Sequence, residues 1–209
     1  MNRIGVDESG KGDYFGYLVV AGVFVDEKNE SKLKGLGVKD SKMIGDGRIM
    51  VLDREIRKIA KHEILKISPE KYNQLYGRFE SLNTLLAWGH ARVIENLLAD
   101  VKCDLVISDK FADEKILNNS LFENGRKIKL IQKIHGESDI SVAAASILAR
   151  AEFLRTLKRL SREIGYNLPK GAIVDSAATE IVKKYGENML FRVAKVHFKI
   201  TKRVLKNLK

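Results

Sequence analysis

The chain has 209 residues, 44% hydrophobic and 31% charged, a balance that excludes wholesale disorder, a collagenous repeat and a coiled-coil rod and leaves one compact domain. Lys and Arg outnumber Asp and Glu by 38 to 27, a net charge of +11, which favours a polyanionic partner and says nothing about fold. A single cysteine, Cys103, and four scattered histidines exclude a disulfide framework and show no CxxC or HxxxH zinc spacing.

The longest apolar run, Tyr17 to Val25, is far short of the roughly 20 residues a membrane span needs, and no signal-peptide core follows Met1. A soluble, cytoplasmic protein without a membrane partner is expected.

In chain order, Arg3 to Asp7 and Leu18 to Val25 are short β-branched runs around a glycine-rich stretch, which predicts two buried strands joined by a hairpin-like turn. Ile49, Leu52, Ile56 and Ile59 recur at helical spacing. A third strand is expected from His62 to Ser68, where Glu63, Leu65 and Ile67 share one face, Ile64 and Lys66 share the other, and Pro69 marks the end. Leu82, Leu85, Leu86, Val93 and Leu97 form the stripe of an amphipathic helix reaching about Asp100.

Asp104 to Asp109 and Ile128 to Gln132 give two more strands. Ile140, Ala144, Ile147, Ala151 and Leu154 then step by four and three along a helix, whose alanines allow close approach to a sheet. Leu190, Val193, Ala194, Val204, Leu205 and Leu208 suggest one or two helices at the basic end. With no linker or repeat to divide the chain, residues 1–209 read as a single α/β domain with a mixed sheet, ending in a basic helical segment from about residue 188.

Chemistry concentrates in Asp7-Glu8-Ser9-Gly10-Lys11-Gly12-Asp13-Tyr14-Phe15-Gly16. Neighbouring strand residues point to opposite faces, so for Asp7 and Glu8 to serve one site the chain must turn immediately after Asp7. Gly10 and Gly12 let a backbone approach a ligand, with Lys11 between them as a phosphate donor. An ordinary acidic hairpin is the plainer alternative.

Asp109 ends another apolar strand, where open α/β sheets place their sites, although strand-end solvation explains it too. Glu137 opens the alanine-rich helix, with Ser138 as its cap, and a favourable helix-dipole carboxylate is the alternative there. Four acids at the ends of adjacent elements, with no soft ligand near, suit Mg2+ or Mn2+, because clustered like charges are costly without a cation.

These residues, together with Val38-Lys39-Asp40-Ser41-Lys42, Leu85-Leu86-Ala87-Trp88-Gly89-His90, Ser108-Asp109-Lys110-Phe111-Ala112, Glu137-Ser138 before Ala143-Ala144-Ala145-Ser146-Ile147, and Lys195-Val196-His197-Phe198-Lys199, resemble ribonuclease HIII of the type 2 ribonuclease H group. The resemblance spans nearly the whole chain. It implies a ribonuclease H-like fold of about five strands flanked by helices. The activity implied is metal-dependent endonucleolytic cleavage of the RNA strand of RNA–DNA hybrids, giving 3′-hydroxyl and 5′-phosphate ends.

By position, Asp7, Glu8, Asp109 and Glu137 match the metal-binding acids, Gly10, Lys11 and Gly12 the loop that touches 2′-hydroxyls, and Lys42 a phosphate contact. The implied partner is the hybrid duplex, bound by a monomer with no obligate protein partner. The family's usual N-terminal platform domain finds no room before Asp7 in these 209 residues, so either the protein lacks it or it has been trimmed away. Tyr17 stands where the motif usually has proline. Ala172 replaces a tyrosine that ribonuclease HII stacks on a sugar, so poor cleavage at a lone ribonucleotide is expected.

A ribonuclease HII-like junction nuclease and a non-catalytic hybrid-binding module are the rival readings. Arg192 to Lys209, with seven cations and no acid, is either a solvated helix face or part of the grip on the duplex. Trp88, His197 and Cys103 read as packing residues, and Ser146 as either a helix-packing small residue or a phosphate donor, with packing the plainer reading.

Overall fold

The two faces of the first strand organise the molecule. β1 (Arg3–Ser9) pairs antiparallel with β2 (Leu18–Val25), and β2 pairs antiparallel with β3 (His62–Ile67). On the other side of β1, β4 (Leu105–Asp109) and β5 (Lys129–Lys133) add in parallel, giving the mixed order β3-β2-β1-β4-β5. The computed structural model describes residues 1–39, 41 and 44–208.

Ile4 and Val6 of β1 share an apolar cluster with Ala87, Ala91, Ile94 and Leu97 of α4 (Leu82–Asp100). The opposite face carries α6 (Ile140–Ile164), the longest helix, at very close range. A Cβ on Gly5 would lie 2.1 Å from the Ser141 carbonyl carbon and 2.2 Å from the Val142 nitrogen, so α6 rests its backbone on the strand. Buried Ala143, Ala144, Ala145, Ala149 and Ala151 continue that approach, and α2 (Asp46–Ile59) packs outside α6 through Ile49, Leu52 and Ile56.

Four further helices were not expected from the sequence, although two of them, those over Pro69–Phe79 and Asp175–Tyr185, each bury a helically spaced stripe. α1 (Glu27–Gly35) buries only Asn29 and Leu33 and is started by a capping box between Asp26 and Asn29. Pro69 does close β3, but it also opens α3 (Pro69–Phe79) at a position where its missing N–H costs nothing, with Ser68 Oγ accepting from the Lys71 amide. α5 (Glu114–Ser120) is capped by Asp113, and α7 (Asp175–Tyr185) precedes the basic end.

That basic end is not a tail. α8 (Asn188–Val193) and α9 (Lys199–Asn207) bury Leu190, Val193, Ile200 and Val204, and the segment between them pairs with the glycine-rich stretch. The Lys195 amide donates to Tyr14, the Gly16 amide donates to Val193, and Phe15 bridges to Ala194. Asn73 of α3 ties the same segment by donating to the Ala194 carbonyl and accepting from the Val196 amide.

Lys195 is wholly buried, and its amine donates to the carbonyls of Asp13 and Gly16, both at 2.8 Å. Arg203 is forked onto Asp175. The cations of this end that stand exposed are Arg192, Lys199, Lys202, Arg203 and Lys206, and Lys209 lies outside the described residues.

Trp88, His197 and Cys103 behave as the packing residues expected, while the Ser146 hydroxyl also bonds the Asp7 carboxyl. Trp88 lies against Phe79, His197 stacks on Tyr76 at 4.1 Å, and Ser146 is buried with its hydroxyl 2.7 Å from that of Ser41. The Cys103 thiol reaches the Leu105 carbonyl, and burial pushes its pKa up. Among the described residues, no helix is long and apolar enough to cross a membrane.

Candidate active site

Parallel pairing of β1 with β4 sets Val6 opposite Ser108, so Asp7 and Asp109 come next, side by side at the carboxyl ends of two central strands. This is where an α/β sheet offers an open crevice. The chain does not turn after Asp7. β1 continues to Ser9, which still pairs with Val19, and the two acids therefore leave the strand toward opposite faces. The site is assembled around the strand end, from both sides of the sheet.

Asp7 is buried on the α6 side, and its Oδ1 accepts the Glu8 amide at 2.7 Å. Burial, then the charge of Glu8, and to a smaller extent that of Asp109, push its carboxyl well above the usual range. Glu8 is 2% exposed on the α4 side, where its carboxylate accepts from His90 Nε2 at 2.8 Å and meets Lys11 Nζ. Burial alone would raise Glu8, but His90 and Lys11 outweigh it and bring the carboxyl down to about 2.

Asp109 Oδ1 accepts the Gly136 amide at 3.0 Å. That bond draws the His135–Ser138 turn over the end of β4 and sets Glu137 on the rim, where it is 17% exposed with His135 Nδ1 3.4 Å away. The cap of α6 is Asp139, not Ser138. Asp139 Oδ1 accepts the Ser141 amide and hydroxyl, and Arg3 clamps the same carboxylate from β1. An aspartate cap is preferred because it takes both the orphan amide and the guanidinium.

Gly10 holds the glycine loop in shape. Its φ is +90°, and a Cβ there would meet the Tyr17 carbonyl oxygen at 2.2 Å. Gly12 faces open space, with nothing within 4 Å of a would-be Cβ. Lys11 turns back to the acids instead of outward: burial would lower its amine, yet Glu8, Asp7 and Asp109 raise it. A second loop docks on this one, the Gly171 amide donating to Asp13 Oδ1 at 2.7 Å and the Tyr14 amide donating to the Gly171 carbonyl. Ala172 follows, exposed. Lys42 lies outside the described residues.

Asp7, Glu8, Asp109 and Lys11 thus lie near enough around the strand ends to act on one another's charge, with Glu137 on the adjoining turn. Among the described residues, no three acid, histidine or cysteine side chains close on one point as a finished cation cage. The donors nevertheless fit a hard divalent ion, being carboxylate oxygens only, with Asp7 raised in part by its like-charged neighbours.

Two residues that hold this arrangement escaped the sequence reading. His90 sits in an apolar helix stripe, where a lone histidine is a signal. Lys195 is hidden among the cations of a basic segment.

The family model described as Ribonuclease HII matches residues 4–201. Ribonuclease HIII of Protochlamydia amoebophila is 46% identical over 205 residues, covering 97% of this chain and 68% of that protein. Ribonuclease HIII of Chlamydia felis is 44% identical, covering 94% and 67%. Among solved structures, Bst-RNase HIII in complex with Mn2+ superposes with a TM-score of 0.92 at 35% identity, covering 100% of this chain and 70% of that one. The RNase HII of the PCNA:RNase HII complex from Archaeoglobus fulgidus gives 0.76 at 32% identity, covering 88% of each. On a family match that runs through both strand-end acids, the glycine loop and α8 as far as the start of α9, the chain belongs to the ribonuclease HII family, with ribonuclease HIII among its relatives, and is a metal-dependent ribonuclease H.

Proposed function

We propose that the protein cuts the RNA strand of RNA–DNA hybrids endonucleolytically, leaving 3′-hydroxyl and 5′-phosphate ends. Asp7, Glu8, Asp109 and Glu137 would hold two divalent ions, Mg2+ or Mn2+. Bound there, such ions supply activation of water and neutralisation of charge on the leaving oxygen. The observation that carries this reading is the meeting of Asp7 and Asp109 at adjacent strand ends, with Asp7 pushed up by burial and by its neighbours. A pure binder of polyanions gains nothing from clustered acids.

The chain's own groups do the rest. Gly10 fixes the loop, and the open backbone at Gly12 can approach a sugar 2′-hydroxyl, the group that distinguishes RNA from DNA. Lys11 keeps the Glu8 carboxylate paired, and Lys42 is proposed as a phosphate contact. Residues 1–209 work as one catalytic domain, monomeric and cytoplasmic, with the exposed cations of α9 and Arg192 contributing to the hold on the duplex.

Exposed Ala172 offers no ring to stack on a sugar, which disfavours a junction nuclease. Cleavage of a long hybrid and of a duplex with a single ribonucleotide, each with Mg2+ and with Mn2+ and with end-group mapping, tests the reading. Efficient cutting of the long hybrid and poor cutting of the other are expected. The reverse preference would contradict it.

A further inference from the structure

His90 is 0% exposed, and both of its ring nitrogens are committed to the two strands that carry the acids. Nε2 donates to Glu8 Oε2 at 2.8 Å, at the end of β1. Nδ1 lies 3.0 Å from Ser108 Oγ, and the Ser108 hydroxyl donates to the Asp109 carbonyl at 3.0 Å, at the end of β4. Ser108 is itself fully buried, and the Phe111 ring packs against the imidazole at 4.7 Å. Every neighbouring position of the α4 stripe is apolar, with Leu86, Ala87, Ala91, Val93 and Ile94 all buried.

An imidazole in such surroundings loses its hydration, and only specific partners offset that loss. Packing alone would be served better by leucine. Glu8 is held from two directions, and the two differ. Lys11 approaches from the open side and is 44% exposed, whereas His90 approaches from the sealed interior. The ammonium sits on a flexible stem and can give way to another cation. The ring, locked between Glu8, Ser108 and Phe111, cannot follow it.

We propose that His90 is a positioning residue for the cation site, fixing the Glu8 carboxylate directly and, through Ser108, the end of β4 that presents Asp109. The proposal rests on the reading of Glu8 and Asp109 as cation-holding acids. A group one bond removed from such ligands acts by setting their orientation, and its loss commonly weakens metal binding by about tenfold to a hundredfold.

The test compares His90→Leu, His90→Gln and His90→Asn with the unmodified protein. Mn2+ affinity is measured by calorimetric titration, kcat and KM on a long hybrid at saturating Mn2+, and folding by thermal melting. His90→Leu is expected to lose about tenfold to a hundredfold in Mn2+ affinity, with a fall in kcat and an unchanged KM for hybrid. The glutamine amide reaches the position of Nε2 and is expected to restore most of the affinity. The asparagine amide reaches only the position of Nδ1, keeping the Ser108 contact without the Glu8 one, and is expected to recover less affinity than glutamine.

Wild-type Mn2+ affinity and kcat in His90→Leu would overturn the proposal. So would glutamine performing no better than asparagine, a comparison that decides the matter even if the leucine variant does not fold. If the unmodified protein neither bound Mn2+ nor cut hybrid, the functional reading beneath the proposal would fall first.

Discussion

Replacing Lys195 with methionine is expected to change how stability depends on pH as well as its size. The buried amine faces two backbone carbonyls, of Asp13 and Gly16, and burial pushes its pKa from 10.5 down to about 7. In the unfolded chain the same amine keeps its proton up to about 10.5. Between these values the unfolded chain binds up to one more proton than the folded one.

Stability from this group therefore rises with pH by about 1.4 kcal/mol per unit. It is complete above the unfolded pKa and is lost as pH falls through about 7. The full span, from 10.5 to about 7, corresponds to about 5 kcal/mol. Methionine keeps the volume, removes the titration and leaves two carbonyls unpaired, at a cost of about 1–3 kcal/mol each. Urea unfolding of both proteins at about pH 7.5, 8.5 and 9.5 reads the difference, which is expected to widen by roughly 2–3 kcal/mol over that interval. Parallel curves would mean that the carbonyls keep the amine charged in the fold, and would refute the reasoning.

Gly5→Ala forces a Cβ to within 2.1 Å of the α6 backbone, a clash that no rotamer relieves. A loss of about 3 kcal/mol or more is expected in denaturant unfolding, with a fall in hybrid cleavage, because α6 begins directly after the turn that carries Glu137. Wild-type stability would show that α6 does not rest on β1. Changing exposed Lys202 and Lys206 to glutamine spares buried Val204, which truncating the chain would remove. If both lysines touch phosphates, the slope of log affinity against log salt should become shallower by about 2 in a hybrid-binding titration. An unchanged slope would leave these charges with solubility alone.

The sheet was legible because each strand is a short apolar run bounded by turn residues, and α6 was legible because its small residues recur at helical steps. α1 and α5 were not, since each hides one or two residues and depends on a capping aspartate more than on periodicity. Asp7, Glu8 and Asp109 could be named from their places at strand ends, but not how they are held. The expected turn after Asp7 gave way to continued pairing through Ser9, which sends Glu8 to the α4 face and makes His90 its partner.

The basic segment misled in a similar way, because charge in a sequence carries no information about burial. Lys195 counts as a cation for the polyanion there, yet in the fold it is the pin beneath the glycine loop.

The most direct measurement is Mn2+-dependent cleavage of a long RNA–DNA hybrid by Asp7→Asn and Asp109→Asn, each checked for folding. Both amides preserve shape and remove the charge that a divalent ion requires. Loss of cleavage by about a hundredfold or more in each folded variant, with hybrid binding retained, is the expected result. Cleavage at the wild-type rate by either variant would contradict the claim that these two strand-end carboxylates form the catalytic centre.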